Sequence, residues 1–405
     1  MDSYSDGLSR SLSEGQPWWE WLRRQFPVMD QCTYLDNAYD CGGSLIGRRA
    51  ARKYFDDWEY AARANERGGP GRATMFRVLD ETRELLGKLL GGVSEDQIAF
   101  TRNTNDGINA ILQGFPFQPG DNIVTSEQEH DSVLMPSINA GITKGVQVRI
   151  LPRREDHAVP AEELIRLADS HTRMILVSHV QSATGSRTDL KVLGKWCAEH
   201  HIYLIVDAIQ SLGFQPFQAG EWGVSAVSAA AYKGLGAVNS VGFLYCEPGL
   251  MEQIWPVCTA AGPYMEAEKT EDGWTLACTG PSKARKLENS SMDNLGIYIL
   301  HDMLEVLLDI GPARIWAHIN ELYGILYDGL NRLGYRLVTP REEEGHCGIL
   351  SMTSENRQQI FDWFRKYNIT LSISAGTYLR FSIGAWNNAR DIHRVLETAE
   401  KCPWR

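Results

Sequence analysis

The chain has 405 residues, a hydrophobic fraction of 43% and a charged fraction of 22%, which suits one large α/β unit with a smaller partner around a sizeable core. Its net charge of −11, with no basic block, argues against a nucleic-acid partner. No apolar run approaches the ~18 residues of a membrane helix, so no membrane partner is expected.

The first fifteen residues carry Asp2, Asp6 and Glu14 and lack an apolar stretch, so they do not read as a secretory signal. Eight cysteines, at 32, 41, 197, 246, 258, 278, 347 and 402, form no C-x-x-C pair, which suggests free thiols in a cytoplasmic protein and no metal site. The segment through Gln16 is polar and reads as loose. Residues 17–26 are a Trp-rich helical stretch with Trp18, Trp19 and Trp21.

From about residue 75 to 250 helical and strand-like segments alternate. Residues 75–90 are amphipathic, with Met75, Val78, Leu79, Leu85, Leu86 and Leu89 near a 3.6-residue spacing. Residues 97–101 form a short strand candidate and residues 106–114 open a helix. The runs 122–126, 146–151, 173–178, 202–207 and 241–246 are short and apolar, as strands buried on both faces are. Such alternation implies βαβ units, a mostly parallel sheet, and functional residues just after the strand ends. After about residue 290 the pattern changes. Helical stretches at 292–308, 312–333 and 354–367 interleave with short strands near 336–338, 348–352, 370–374 and 378–383. The division expected is an N-terminal segment, 1–35, packing on a small α+β domain, 286–405, with a large domain, 36–285, between them.

Five stretches carry candidate chemistry. In the first, Asn103, Thr104 and Asn105 stand between a strand and a helix, where they either cap the helix or hold a phosphate. In Glu129-His130-Asp131 the imidazole is either a surface loop group or a ring that stacks on an aromatic cofactor. Asp207 ends a five-residue strand with Gln210 three residues on, so it is either a helix cap or the partner of a protonated pyridine nitrogen. Lys233 lies in a run of small residues before Gly234 and Gly236. It is either a loop lysine or an amine of lowered pKa poised for a Schiff base. Arg380, inside an alternating strand, either forms a structural ion pair or grips a substrate carboxylate with its planar fork. Singly these signals are weak. In this order they make up a complete pyridoxal phosphate site: amine, ring-nitrogen acid, stacking ring, phosphate donors and carboxylate clamp.

The stretches VSHVQSATGSRTDL (177–190), VDAIQSLG (206–213) and AAYKGLG (230–236), with Tyr34-Leu35-Asp36-Asn37-Ala38 near the start, resemble the class V aminotransferase family of pyridoxal phosphate enzymes. That group includes cysteine desulfurases, selenocysteine lyases, isopenicillin N epimerase-like proteins and C–S lyases. The resemblance implies fold type I: an α/β large domain with a seven-stranded, mostly parallel sheet flanked by helices, plus the smaller α+β domain. By position it implies Lys233 as the Schiff-base lysine, Asp207 as ring-nitrogen partner, His130 as stacking ring and Gln210 at the ring hydroxyl. Thr104 and Asn105 fall where the phosphate is cupped. Tyr232 replaces a common histidine and Ala230 a common serine there. Asn37, Ala38 and Arg380 fall where substrate binds. Ser291, in ENSSMDN (288–294), lies where a neighbouring subunit lends a hydroxyl, which implies a homodimer with shared sites.

One departure sorts the chemistries. Desulfurases carry a mobile loop with a persulfide-forming cysteine shortly before the carboxylate arginine, and residues 369–380 contain no cysteine and leave little room for that loop. The expected activity is therefore a β-eliminating (C–S) or deaminating lyase on a cysteine-type amino acid in specialised metabolism. The alternatives are transamination with a keto acid, decarboxylation or epimerisation, and a non-catalytic scaffold. Trp18, Trp19, Trp21, Trp58 and the 67–72 loop either line a pocket for a bulky substrate or simply pack and turn.

Overall fold

The computed structural model describes residues 4–63, 70–258, 265–278, 284–288 and 291–405. A seven-stranded sheet organises the larger part of the chain. Its strands in chain order are β1 (Ile98–Thr101), β2 (Asn122–Ser126), β3 (Gln147–Leu151), β4 (Thr172–Ser178), β5 (Tyr203–Asp207), β6 (Ala226–Ala230) and β7 (Gly242–Cys246). They lie side by side in the order β1-β7-β6-β5-β4-β2-β3. Every pairing is parallel except the two made by β7. The apolar runs form central strands because both of their faces are covered. Val124, Ile175, Val177, Leu204 and Val206 face one hydrophobic layer, and Ile123, Met174, Leu176 and Ile205 face the other. Helices α1 (Thr104–Gly114) and α2 (Asp131–Lys144) cover the second face through Ile108, Ile111, Leu112, Val133 and Ala140.

The C-terminal part builds a four-stranded antiparallel sheet from β8 (Arg336–Leu337), β9 (Ile349–Thr353), β10 (Ser372–Ser374) and β11 (Tyr378–Ser382), ordered β8-β9-β11-β10. Helix α3 (Arg357–Lys366) packs on it. The N-terminal residues lie against this part of the chain. Thr33 and Tyr34 pair in parallel with Ile369 and Thr370, Trp19 stacks on His318, and Phe26 stacks on Trp386. Arg23 grips Asp391 with both terminal nitrogens, at 2.7 and 3.1 Å.

Three local expectations change. Residues before Gln16 are not loose, because Tyr4–Ser13 is a helix whose Leu8 and Ser11, one turn apart, are buried. The alanine- and serine-rich β6 gives no strand signal, since small residues have low strand propensity. Pairing on both edges, with β5 and β7, decides its conformation. The hairpin Met265–Thr270 with Gly273–Cys278 also lacks an apolar alternation to announce it. Among the described residues no helix is long and apolar enough to cross a membrane.

Gly107 brings the start of α1 down onto the sheet. A Cβ there would lie 2.3 Å from Ser228 Oγ and 3.0 Å from Ser228 Cβ. Alanine normally stabilises a helix interior by ~1 kcal/mol over glycine. Here the overpacking cost of ~1–3 kcal/mol dominates. Gly107→Ala should therefore lower the denaturation midpoint in urea, and a raised midpoint would show that the α1–β6 contact is loose.

Candidate active site

The chain segments following β1, β2, β4, β5 and β6 line one cavity of about 310 Å3, where open α/β sheets bind their ligands. Asn103, Thr104 and Asn105 follow β1, and His130 follows β2. Ser182 follows β4, Gln210 follows β5, and Tyr232 and Lys233 follow β6. A larger cavity of about 1220 Å3 shares His130, Ser182, Tyr232 and Lys233 with it and reaches Asp36, Ala38 and Arg380. The sheet thus gathers most of the residues that the sequence singles out.

Lys233 is 7% exposed, and its ammonium has no hydrogen-bond partner among the described residues. Burial, helped by the Arg380 cation, lowers its pKa to about 8, while Asp207 and Asp36 act in the opposite direction. A neutral, nucleophilic amine is therefore available near neutral pH. Asp207 accepts from the Ile209 N–H at 3.0 Å. Burial raises its pKa against the pull of that N–H and of Lys233, so this carboxyl is suited to a cationic or proton-bearing partner.

His130 is the N-cap of α2. Its Nδ1 accepts from the Ser132 N–H at 3.1 Å, which leaves the proton of the neutral ring on Nε2. Desolvation in the cleft, with Lys233 and Arg380 nearby, holds its pKa below the ordinary histidine value. The loop before it is tied down by Glu129. That carboxylate accepts from Ser178 N (2.8 Å), Ser178 Oγ (2.5 Å) and Gln181 Nε2 (2.7 Å), and burial pushes its pKa up to about 7.

The start of α1 offers backbone donors. Asn103 Oδ1 caps the Asp106 N–H at 2.9 Å, while the hydroxyl oxygen of Thr104 accepts from the Ala230 N–H at 3.0 Å. Asn105 Oδ1 accepts from Asn109 at 2.8 Å. Gln210 donates to Ala38 O (3.1 Å) and Ser182 Oγ (3.2 Å), and its own Oε1 is buried without a partner.

Arg380 is buried. Its Nε donates to Ser372 Oγ (3.2 Å) and its Nη1 to Ser182 O (2.6 Å), while Nη2 faces Asp36 Oδ1 at 3.8 Å. Burial lowers its pKa, and Asp36 opposes that shift. Sequence reasoning assigned no role to Asp36, Ser182 or Ser372, although the first two lie inside stretches that it singled out.

Asn37, Ser291 and the tryptophans lie outside the cavity that holds Lys233. The Asn37 side chain turns from the cavity toward Ser382 O (2.9 Å) and Asn387 Oδ1 (3.2 Å), leaving Asp36 and Ala38 on the wall. Ser291 lines a separate cavity of about 460 Å3 beside Arg102, Asp106 and Val241. The tryptophans do not line the large cavity: Trp18 and Trp21 are buried in the core, Trp19 stacks on His318, and Trp58 borders a pocket of about 330 Å3 with Tyr54. Residues 67–69 of the proposed loop lie outside the described residues.

Residues 48–395 match the model of the family "Aminotransferase class-V". The chain belongs to that family. Its members are pyridoxal phosphate enzymes, and this chain is one. It is 30% identical over 401 residues to an uncharacterized aminotransferase of Schizosaccharomyces pombe, covering 96% of this chain and 98% of the relative. It is 29% identical over 417 residues to a probable cysteine desulfurase of Methanothermobacter thermautotrophicus, with 94% and 97% covered. The apo structure of a cysteine desulfurase from Thermococcus onnurineus NA1 shares the fold, with a TM-score of 0.82 at 20% identity over 94% of this chain and 96% of that one. The residues present fit the cofactor. The orphaned Gln210 Oε1 and the carboxyl of Asp207 lie on the wall of the same 310 Å3 cavity as the free amine of Lys233 and the first turn of α1.

The lowered pKa of Lys233 makes a direct prediction. In the cofactor-free protein, the carbamylation rate of Lys233, followed by peptide mass spectrometry against pH, should titrate near 8. A midpoint near the ordinary lysine value of ~10.4 would show a solvated amine.

Proposed function

We propose that this enzyme is a β-eliminating lyase acting on a cysteine-type amino acid, with Lys233 as base and Arg380 as carboxylate clamp. The observation that carries this reading is the closed turn beside Arg380. Strands β10 and β11 form a tight hairpin, with Ser374 paired to Tyr378 and the turn made by Ala375 and Gly376 at φ 49 and 65. Among the described residues no cysteine lines the cavities that hold Lys233 and Arg380. Cys41, whose N–H binds the Tyr232 carbonyl at 3.1 Å, is buried, and its thiol is pushed up to about 11. Among the described residues no cysteine thiolate is therefore placed to take sulfur from a substrate. Sulfur would leave instead as the substrate's own thiol.

Pyridoxal phosphate, when bound, supplies an electron sink conjugated to the substrate's α-carbon. The chain's residues supply the rest. The N–H groups at the start of α1 and the Thr104 hydroxyl would hold the phosphate, with Asn105 and Tyr232 beside it. Asp207 would keep a proton on the ring nitrogen, His130 would stack on the ring, and Gln210 Oε1 would accept from the ring hydroxyl. Arg380 pairs with the substrate carboxylate, and Ser182 and Ser372 fix its fork. Lys233 Nζ takes the Cα proton and returns a proton to the departing sulfur. Cα–H and Cβ–S break, and one water is consumed, so a cysteine conjugate yields a thiol, pyruvate and ammonia. We further infer a homodimer in which Ser291 serves the neighbouring copy. In support, Trp255 and Val257 stand exposed, and Val257 lines the cavity that holds Ser291. Transamination is the second reading, favoured by the name given to the S. pombe relative.

The purified enzyme with added cofactor should release pyruvate and thiol from S-methylcysteine without an amino acceptor. Strict dependence on a keto acid would favour the transaminase, and alanine with persulfide from free cysteine would favour a desulfurase. Lys233→Ala should abolish borohydride-stable attachment of the cofactor and slow turnover by about 10³-fold. Arg380→Gln should cut kcat/KM roughly 10- to 100-fold, as expected for a lost charge-assisted bond of ~1.5–3 kcal/mol. Retained attachment in the first variant, or unchanged kcat/KM in the second, would refute the assignment.

A further inference from the structure

The large cavity is far bigger than a free cysteine requires. At about 1220 Å3 it exceeds the ~300–1,000 Å3 of pockets that hold drug-sized ligands. Its wall includes Lys233 and Arg380, both buried, Leu134, Leu371 and Tyr378, and Arg153 and Arg365, both exposed. The two arginines stand on different parts of the fold. Arg153 follows β3 of the large sheet, and Arg365 is near the end of α3 on the small one.

The charges on this wall are unevenly engaged. Glu127 accepts from the backbone N–H of Arg153 at 3.0 Å, and Asp40 accepts from the N–H of Gly42 at 2.7 Å. Asp131 sits in the first turn of α2, where the helix dipole favours an anion. Neither Arg153 nor Arg365 has an acidic partner among the described residues, whereas Arg154, next in the chain, is paired with Asp156 and Glu163. The Arg365 guanidinium lies 5.6 Å from the centre of the Phe361 ring, and both residues line the cavity. Two planar forks without acidic partners on the exposed wall of one cavity suit a carboxylate or a phosphate group.

We propose that the site takes cysteine S-conjugates whose sulfur substituent lies in this cavity and ends in an anion held by Arg153 and Arg365. The proposal rests on the lyase reading, and it assigns the substrate's distal half to residues that the elimination chemistry does not use. Leu134, Leu371 and Tyr378 give a carbon chain apolar contacts on the cavity wall, and the exposed arginines select its charged end.

The test compares S-(3-carboxypropyl)cysteine and S-(3-phosphonopropyl)cysteine with the neutral S-(3-carbamoylpropyl)cysteine on the holoenzyme. At least one anionic conjugate should exceed the amide tenfold or more in kcat/KM, and the better anion identifies the end group. In Arg153→Gln and Arg365→Gln that ratio should fall toward one. Equal kcat/KM for acids and amide in the native enzyme, or an undiminished ratio in both variants, overturns the proposal. Should no conjugate release thiol, S-methylcysteine included, the lyase reading fails by itself. The same ratios are then read from Kd values in absorbance titrations of the holoenzyme, where equal affinities overturn the selection and a tenfold difference lost in the variants upholds it.

Discussion

A buried amine and a buried carboxyl facing one small cavity set the terms for the whole site. Lys233 and Asp207 come from adjacent strands, β6 and β5, and each is at most 7% exposed. Water solvates neither charge well, so the amine is pushed toward its neutral form and the carboxyl toward its protonated one. In a surface cleft the same pair would be an ordinary ion pair of little consequence. Here the poor solvation leaves a free base at one end of the cavity and a carboxyl suited to a ring cation at the other. The parallel sheet makes this affordable, since its strand ends deliver polar groups to one edge while its faces stay apolar.

The second constraint is the join between the two sheets. Arg380 belongs to the small sheet, yet it donates to Ser182 beyond β4 of the large one and faces Asp36 from the N-terminal segment. Asp36 also bridges to Ser382, two residues beyond Arg380. Three separate regions therefore fix one guanidinium, as the proposed grip on a substrate carboxylate requires. Asn37 serves this join and not the cavity. Its amide ties Ser382 and Asn387 together, and a side chain at Gly384 would strike it at 2.9 Å.

The sheet was readable from the amino-acid sequence because buried parallel strands are continuous apolar runs. The segments 122–126, 202–207 and 241–246 match β2, β5 and β7 to within one residue. Strand β6 was unreadable, since Ala-Val-Ser-Ala-Ala states no preference and only its neighbours determine it. The functional candidates lay where strand ends put them, so Lys233, Asp207, His130 and Gln210 meet in one cavity. What the sequence could not tell was direction. Asn37 and Asp36 are adjacent, and one turns into the packing while the other faces the cavity, a difference of backbone geometry and not of residue type. For the same reason Trp18, Trp19 and Trp21, whose size suggested a pocket wall, are packing groups of the N-terminal segment.

The central claim is that Lys233 and Asp207 act on opposite ends of one ring. Diffraction from crystals grown with pyridoxal phosphate tests it most directly. The account predicts density that is continuous with the Lys233 side chain, fills the cavity between it and Asp207, and carries its phosphate at Thr104 and Asn105. Cofactor density at any other lysine, or a cavity that stays empty at saturating cofactor, would contradict it.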